Sequence, residues 1–494
     1  MSEHVATGSI PTTGTATSGA PDHTSRNNLV INLLLVSAFV VMLNETIMNV
    51  AIPQIMNQLN IEAATGQWLT TGFMLTMAII IPTTGYLLSR FSTRQIFIAA
   101  MSLFTLGTVI SAIAPGFGVL LLGRIVQASG TAVMMPLLMT TVMTLVPFGE
   151  RGKTMGKISV VMSVAPAVGP TLSGLVLQVL DWRWLFIIVA PIAIGALTLG
   201  IAKVQNVTEP QKKRIDVLSV ILAAFAFGGL IFGLSSIGES VSGHAIVQPG
   251  IPVAVGVVAL AGFILRQLAL QKRDAALLDL RTFRTGQFVA SVVLMAFLMM
   301  AMFGSVILLP IYLQNVLGLE PVFTGLTLLP GALLMGVLGP IVGRIFDKRG
   351  PRILLVPGSI VASAGLWSFT LLTADSSPFQ VLASHVILSL GLATMFPPLF
   401  SSALGSLQPK LYPHGSAIIG TLQQVAAASG TALFVTLFTI QQVALTAEGV
   451  DPVNAMAGGV HAAFLTGAIV SLGTIVVTFF IKRPVNVVEG APGH

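Results

Sequence analysis

The stretch QFVASVVLMAFLMMAMFGSVILLPIYL, residues 287–313, contains no charged side chain. At ~1.5 Å of rise per residue it is longer than the ~30 Å needed to cross the hydrocarbon of a bilayer. Backbone N–H and C=O groups find no water there, so an isolated run of this kind crosses as an α-helix. On either side the pattern repeats. Fourteen apolar runs of similar length recur between roughly residues 29 and 481.

The whole composition agrees with these runs. Hydrophobic residues make up 54% of the 494, charged residues only 8%, and the mean hydropathy is +0.92. A water-facing surface normally needs about 25% charged residues, so lipid must be the solvent for most of this chain. There is no cysteine, which excludes disulfides, thiolate metal sites and cysteine nucleophiles. Segment 1–28, rich in Ser, Thr and Gly, reads as a disordered tail, and no cleaved signal peptide is expected.

The charges give an orientation. Nearly all Lys and Arg fall in alternate loops, among them Arg90, Arg94, Arg151, Lys153, Lys272, Arg273, Arg344, Lys348 and Lys482. The intervening loops carry Glu62, Asp181, Glu239, Glu320, Asp375, Glu448 and Asp451. The positive-inside rule puts the basic loops and both termini in the cytoplasm. The formal charge of +7 is therefore an orientation signal, too dispersed for a nucleic-acid surface.

An internal repeat organises the runs, with an offset near 260. Pro53 matches Pro310, Glu62 matches Glu320, and Thr65-Gly66 matches Thr324-Gly325. Gly85 with the following Arg90 and Arg94 matches Gly343 with Asp347 and Arg352, while Met134-Met135-Pro136 matches Met395-Phe396-Pro397. The offset spans an even number of helices, so the two copies point the same way. Parallel six-helix halves around a midplane site are a recurrent transporter plan. The expected organisation is a tail at 1–28, a six-helix bundle at 29–202, two inserted helices with linkers at 203–285, a second bundle at 286–483, and a tail at 484–494.

Of the seventeen acids, only Glu45 sits well inside a span, and among the bases only Arg124 is similarly deep. Each is expected about 10 Å below the outer surface, one on the first span and one on the fourth. An unpaired charge there costs several kcal/mol, so the two are expected to pair. One reading makes Glu45 the group that takes up and releases a driving proton, because burial and a nearby guanidinium pull its protonation in opposite directions. The other makes the pair a static tie. In the repeat Arg124 maps onto His385, and Glu45 onto the apolar Met302–Phe303 region. Asn49, Gln127, Met299, Phe303, Gln314, His385 and Gln424 are the candidate substrate contacts. The fifth span reads Ala165-Pro166-Ala167-Val168-Gly169-Pro170-Thr171-Leu172-Ser173-Gly174, whose prolines and small residues suit a hinge or a sliding contact between halves.

These residues resemble the fourteen-helix drug:proton antiporters of the major facilitator superfamily, especially the lincomycin-resistance-like branch. Leu43-Asn44-Glu45-Thr46-Ile47-Met48-Asn49-Val50-Ala51-Ile52-Pro53 is similar to that family's first-helix signature, which more often has Asp at the place of Asn44. Arg124 to Gly130, the fifth-span run through Gly169-Pro170 and Gly174, and Trp182-Arg183-Trp184 resemble further family motifs. The loop after the second span keeps Gly85 and Arg90, but Ser89 and Ser92 stand where the family has Asp and Gly. The second copy retains Gly343, Asp347, Gly350 and Arg352. The resemblance implies an all-α, fourteen-helix, non-enzymatic exporter of amphipathic drugs in a bacterial plasma membrane, working as a monomer. It would exchange small-molecule substrates for protons and need no cofactor beyond the proton gradient. A dedicated exporter of one metabolite or lipid, and a non-transporting receptor or scaffold, are the competing readings.

Overall fold

The computed structural model describes residues 24–206, 215–241 and 248–482, and among them every regular element is helical. Among the described residues, fourteen helices are long and apolar enough to span a membrane. The tail at 484–494 and the bases Lys212, Lys213 and Arg214 lie outside the described residues. So do residues 1–23 of the expected N-terminal tail, whereas 24–28 already belong to α1 (Thr24–Leu59).

This first helix also runs on through Pro53, because the turns beyond it bury Ile55 against Leu69, Leu120, Trp182 and Leu185. Glu45 is therefore fourteen residues, about 21 Å, from the end of this helix. The second span is broken. Pro82 has no N–H to give, so α2 (Ala63–Ile80) passes through a 3-10 turn at Ile81–Thr83 into α3 (Thr84–Arg90). The Thr83 and Thr84 hydroxyls donate to the Ile80 and Ile81 carbonyls at 2.7 and 2.6 Å within this turn.

The first half continues with α4 (Thr93–Ala112), α5 (Phe117–Leu145), α6 (Arg151–Leu177) and α7 (Arg183–Lys203). The insert is α8 (Val217–Val241) and α9 (Gly250–Leu270). The second half comprises α10 (Gly286–Ile311, extended by a π turn to Val316), α11 (Pro321–Arg349), α12 (Arg352–Phe369), α13 (Pro378–Gly405), α14 (Tyr412–Ala447) and α15 (Pro452–Thr478).

The repeat is visible in the packing. Within the first half α1 packs on α6, α4 on α5 and α7, and α2 on α5; the equivalent pairs in the second half are α10 on α14, α12 on α13 and α15, and α11 on α13. Single contacts repeat too. Arg94, at the start of α4, donates to the Ile201 carbonyl at 2.8 Å, and Arg352, at the start of α12, donates to the Phe479 carbonyl at 3.0 Å. A Cβ at Gly169 would lie 2.1 Å from the Thr46 hydroxyl on α1, and one at Gly430 2.4 Å from the Met300 carbonyl on α10. These glycines let one helix of each half press against its neighbour. The contact of Gly169 is thus internal to the first half rather than a sliding surface between halves. Gly174 has open space around it.

The tight contacts between halves gather at the end that carries the basic loops. A Cβ at Gly343 would sit 2.0 Å from the Gly152 carbonyl, and one at Gly156 2.2 Å from the Gly339 carbonyl, so α6 and α11 touch backbone to backbone. Nearby, Thr140 and Ser416 share a hydrogen bond of 2.8 Å between α5 and α14, and Arg151 reaches the Tyr412 hydroxyl at 3.3 Å. Towards the acidic end the same α6 and α11 expose Leu172, Leu175, Val322, Phe323 and Leu326. The molecule is closed at its basic end. Helix α8 lies at the rim, packed on α2 of one half and α14 of the other, with Trp68 stacked on Phe232 at 6.0 Å.

Candidate functional site

Arg124 is 2% exposed, which in a membrane protein demands compensation for a buried charge. Three groups provide it. Its guanidinium donates to Gln127 Oε1 at 2.7 Å and to Asn44 Oδ1 at 3.4 Å, and lies 4.0 Å from the centre of the Phe73 ring. A desolvated cation over an aromatic face gains about 2 kcal/mol. The Gln127 amide in turn donates to Thr108 at 2.8 Å, whose hydroxyl bonds the Phe104 carbonyl at 2.7 Å. The network ties α1, α4 and α5 together through neutral acceptors, and it uses up Gln127 as a candidate for touching substrate.

Glu45 stands outside this network. Successive residues on a helix are turned by about 100°. Asn44 faces α5 and Arg124, while the Thr46 hydroxyl reaches the Ala165 carbonyl of α6 at 3.3 Å, so the intervening Glu45 points elsewhere. It is half-buried, and among the described residues it makes no hydrogen bond and no ion pair within 4 Å. The expected direct pair with Arg124 is therefore not formed in this conformation. The two charges are still close enough to act on each other. Arg124 also keeps a buried Nε with no acceptor among the described residues. Helical spacing places Met42 and Asn49 on the same stripe as Glu45, although the Asn49 side chain lies outside what is described.

A small cavity of about 30 Å³, partly open to solvent, lies where the halves meet. Ser159, Met162 and Ser163 of α6, Met299 and Met302 of α10, Met335 of α11, and Ala393 and Phe396 of α13 form its wall. Its α6 wall ends at Ser163, two residues from Ala165, so the cavity and the turn that bears Glu45 share one stretch of α6. Flexible thioethers around two hydroxyls make a surface that adapts to apolar guests of varied shape.

The predicted substrate contacts divide on this geometry. Met299 lines the cavity. Phe303 is half-buried against the second-half core, Gln424 is half-buried on α14, and Gln314 is exposed in the π turn that ends α10. His385 lies against Gly331 of α11, where a Cβ would come within 2.5 Å of its ring. The serines and methionines of α6, α11 and α13 were not singled out. Ser159, Met162 and Ser163 do follow i, i+3, i+4 spacing, which marks one helix face, but such triplets occur on nearly every span.

The conformational motifs have clear partners. Asp347, near the end of α11, accepts from the backbone N–H groups of Gly152 at 2.7 Å and Lys153 at 2.8 Å, capping the start of α6 across the interface. A carboxylate at a helix N-terminus in a partly buried setting stabilises by up to about 2 kcal/mol. Gly350 ends α11 with φ +81, a conformation that favours glycine. Arg90 lies 5.8 Å from the centre of the Phe91 ring. Pro166 lies within a continuous α6, and the Pro170 side chain is outside the described residues. Replacing Asp347 with Ala should shift the population away from the form closed at the basic end by roughly tenfold or more. Alkylation of a cysteine placed in the α6–α11 interface, faster in the variant than in the parent, would read this out.

The family model of the Major Facilitator Superfamily matches residues 34–431. The chain belongs to the major facilitator superfamily. It is thus a multi-pass membrane transporter of small molecules, not an enzyme. It is 41% identical over 459 residues to the lincomycin resistance protein LmrB of Listeria monocytogenes, covering 92% of this chain and 96% of that protein. The LmrB of Bacillus subtilis is 41% identical over 461 residues, covering 92% and 95%. Among solved structures, the human organic anion transporter MFSD10 superposes with a TM-score of 0.66 over 92% of this chain and 99% of that one, at 12% identity. That likeness concerns the fold.

Proposed function

We propose that this superfamily member is a proton-coupled exporter of amphipathic small molecules. In this reading it works by alternating access, with the basic loops and both termini in the cytoplasm. The observation that carries it is Glu45: among the described acids it alone lies well inside a long helix, half-buried and without a fixed partner, one residue from the arginine network.

A carboxyl that moves between hydrocarbon and a guanidinium alternates between holding and releasing a proton. In the form closed at the basic end, Glu45 is free of Arg124 and loads a proton from outside. A local shift of α1 within the first half, coupled to rocking of the halves, brings the carboxyl to the unused Arg124 Nε, where the charged form is favoured and the proton leaves to the inside. Substrate then enters the methionine- and serine-lined cavity from the cytoplasm and is carried out on the return. The resistance phenotypes named for the relatives support export of toxic amphipathic compounds.

Expression in an efflux-deficient bacterial host tests the substrate range. Raised inhibitory concentrations for several structurally unrelated amphipathic antibiotics are expected. Protection against one compound alone would replace this reading with a dedicated exporter, and protection against none, with the protein present in the membrane, would remove drug export.

A further inference from the structure

The two halves of the basic-end gate are built differently. In the second half Asp347 of α11 caps the start of α6. The repeat position in the first half is Ser89 of α3, and its hydroxyl turns back to the Gly85 carbonyl of its own helix at 2.8 Å. Helix α3 therefore offers no acid to the start of α14. The place is nevertheless filled, by the linker between α9 and α10. A Cβ at Gly85 would lie 3.0 Å from His414 Nδ1, on the first turn of α14, and 3.3 Å from the Leu277 carbonyl of the linker. Leu277, Leu278 and Asp279 are nearly inaccessible, so this linker segment is packed into the gate rather than draped over it.

Asp279, two residues beyond Leu277, places an acid close enough to His414 on the first turn of α14 for their charges to interact. Burial alone would lift its carboxyl, but hydrogen bonds from the Arg281 N–H groups, at 3.0 and 2.9 Å, and the nearby His414 hold it below the usual carboxylate range. The insert fixes the linker in place. Gln267 of α9 accepts from the Leu277 and Leu278 N–H groups at 2.7 and 3.2 Å and donates to Ser219 of α8 at 2.7 Å. Ser219 donates to Asp216 at 2.6 Å, and Arg266 closes the chain on Asp216 at 2.9 and 3.1 Å. Asp216 is held at about 2, chiefly by Arg266, so this anchor stays charged at any working pH.

We propose that the linker after the inserted helices supplies to the first half of the gate the acid that Asp347 supplies to the second. Asp279 is a positioning residue for closure at the basic end, and α8 and α9 are the frame that presents it. This rests on alternating access alone and not on Glu45 as the coupling group.

The absence of native cysteine makes the test direct. Ser416→Cys, buried at the closed gate, is alkylated with a membrane-permeant maleimide while export of a fluorescent amphipathic dye is followed in the same cells. Adding Asp279→Ala should raise the alkylation rate about tenfold, within the usual range of conformational coupling, and slow export. Adding Ser89→Asp to that variant, which restores the acid on α3, should return both readouts towards the parent. Asp274→Asn should have a far smaller effect on both readouts, because its carboxylate is exposed whereas that of Asp279 is buried. If Asp279→Ala does not reach the membrane, Asp279→Asn carries the same comparison. Unchanged alkylation in the Asp279 variant, or a change that Ser89→Asp leaves uncorrected, would overturn the proposal.

Discussion

Glu45→Gln is expected to abolish uphill export while leaving substrate exchange intact. Glutamine copies the shape of the protonated acid and can neither release nor accept the driving proton. One pH unit corresponds to about 1.4 kcal/mol per proton, so the wild type can sustain roughly a tenfold substrate gradient for each proton exchanged per unit of ΔpH. With no proton exchanged that factor becomes one, however tightly substrate binds, because a gradient cannot bias states that do not differ in protonation. Counterflow of labelled substrate in proteoliposomes, with no pH gradient applied, should survive. Accumulation against a gradient should fall to the level of empty vesicles. Accumulation that persists in the variant would assign coupling to another group.

The second large effect concerns the gate. Thr140 of α5 and Ser416 of α14 lie in different halves with their hydroxyl oxygens 2.8 Å apart. Two cysteines at these positions lie close enough to be joined by a disulfide after a small shift. In the doubly substituted protein, mild oxidant should stop transport completely, and reductant should restore it. Each single cysteine variant should ignore the oxidant. Continued turnover by the cross-linked protein would mean that the basic ends need not part, and alternating access as drawn here would fail.

Much of the fold was legible because lipid leaves the backbone few choices. A run such as 287–313 must be helical in hydrocarbon, and the ordered matches from Pro53 and Pro310 onwards required parallel halves. The structure repeats them down to the paired bonds of Arg94 and Arg352. The end of α1 was harder to see, since Pro53 reads locally as a stop and only the distant Trp182 cluster keeps the helix going.

At the candidate site the sequence marked the level of Glu45 and Arg124 but not the direction of each side chain. Asn44 takes the position on α1 that faces Arg124, and Glu45, one residue on, is turned away. The cavity wall was hidden for another reason. Its residues come from four helices far apart in the chain, and serine and methionine are ordinary residues in a span. The linker around Asp279 has no counterpart in the repeat, so the comparison of halves passed over it.

The most direct test of the coupling claim is proton release by the purified transporter in weakly buffered detergent solution, recorded with a pH dye. Adding a transported drug to the wild type should release protons, with the yield falling once the solution is alkaline enough for Glu45 to be ionised beforehand. The Glu45→Gln protein should bind the drug and release none. Equal release from both proteins would contradict the account.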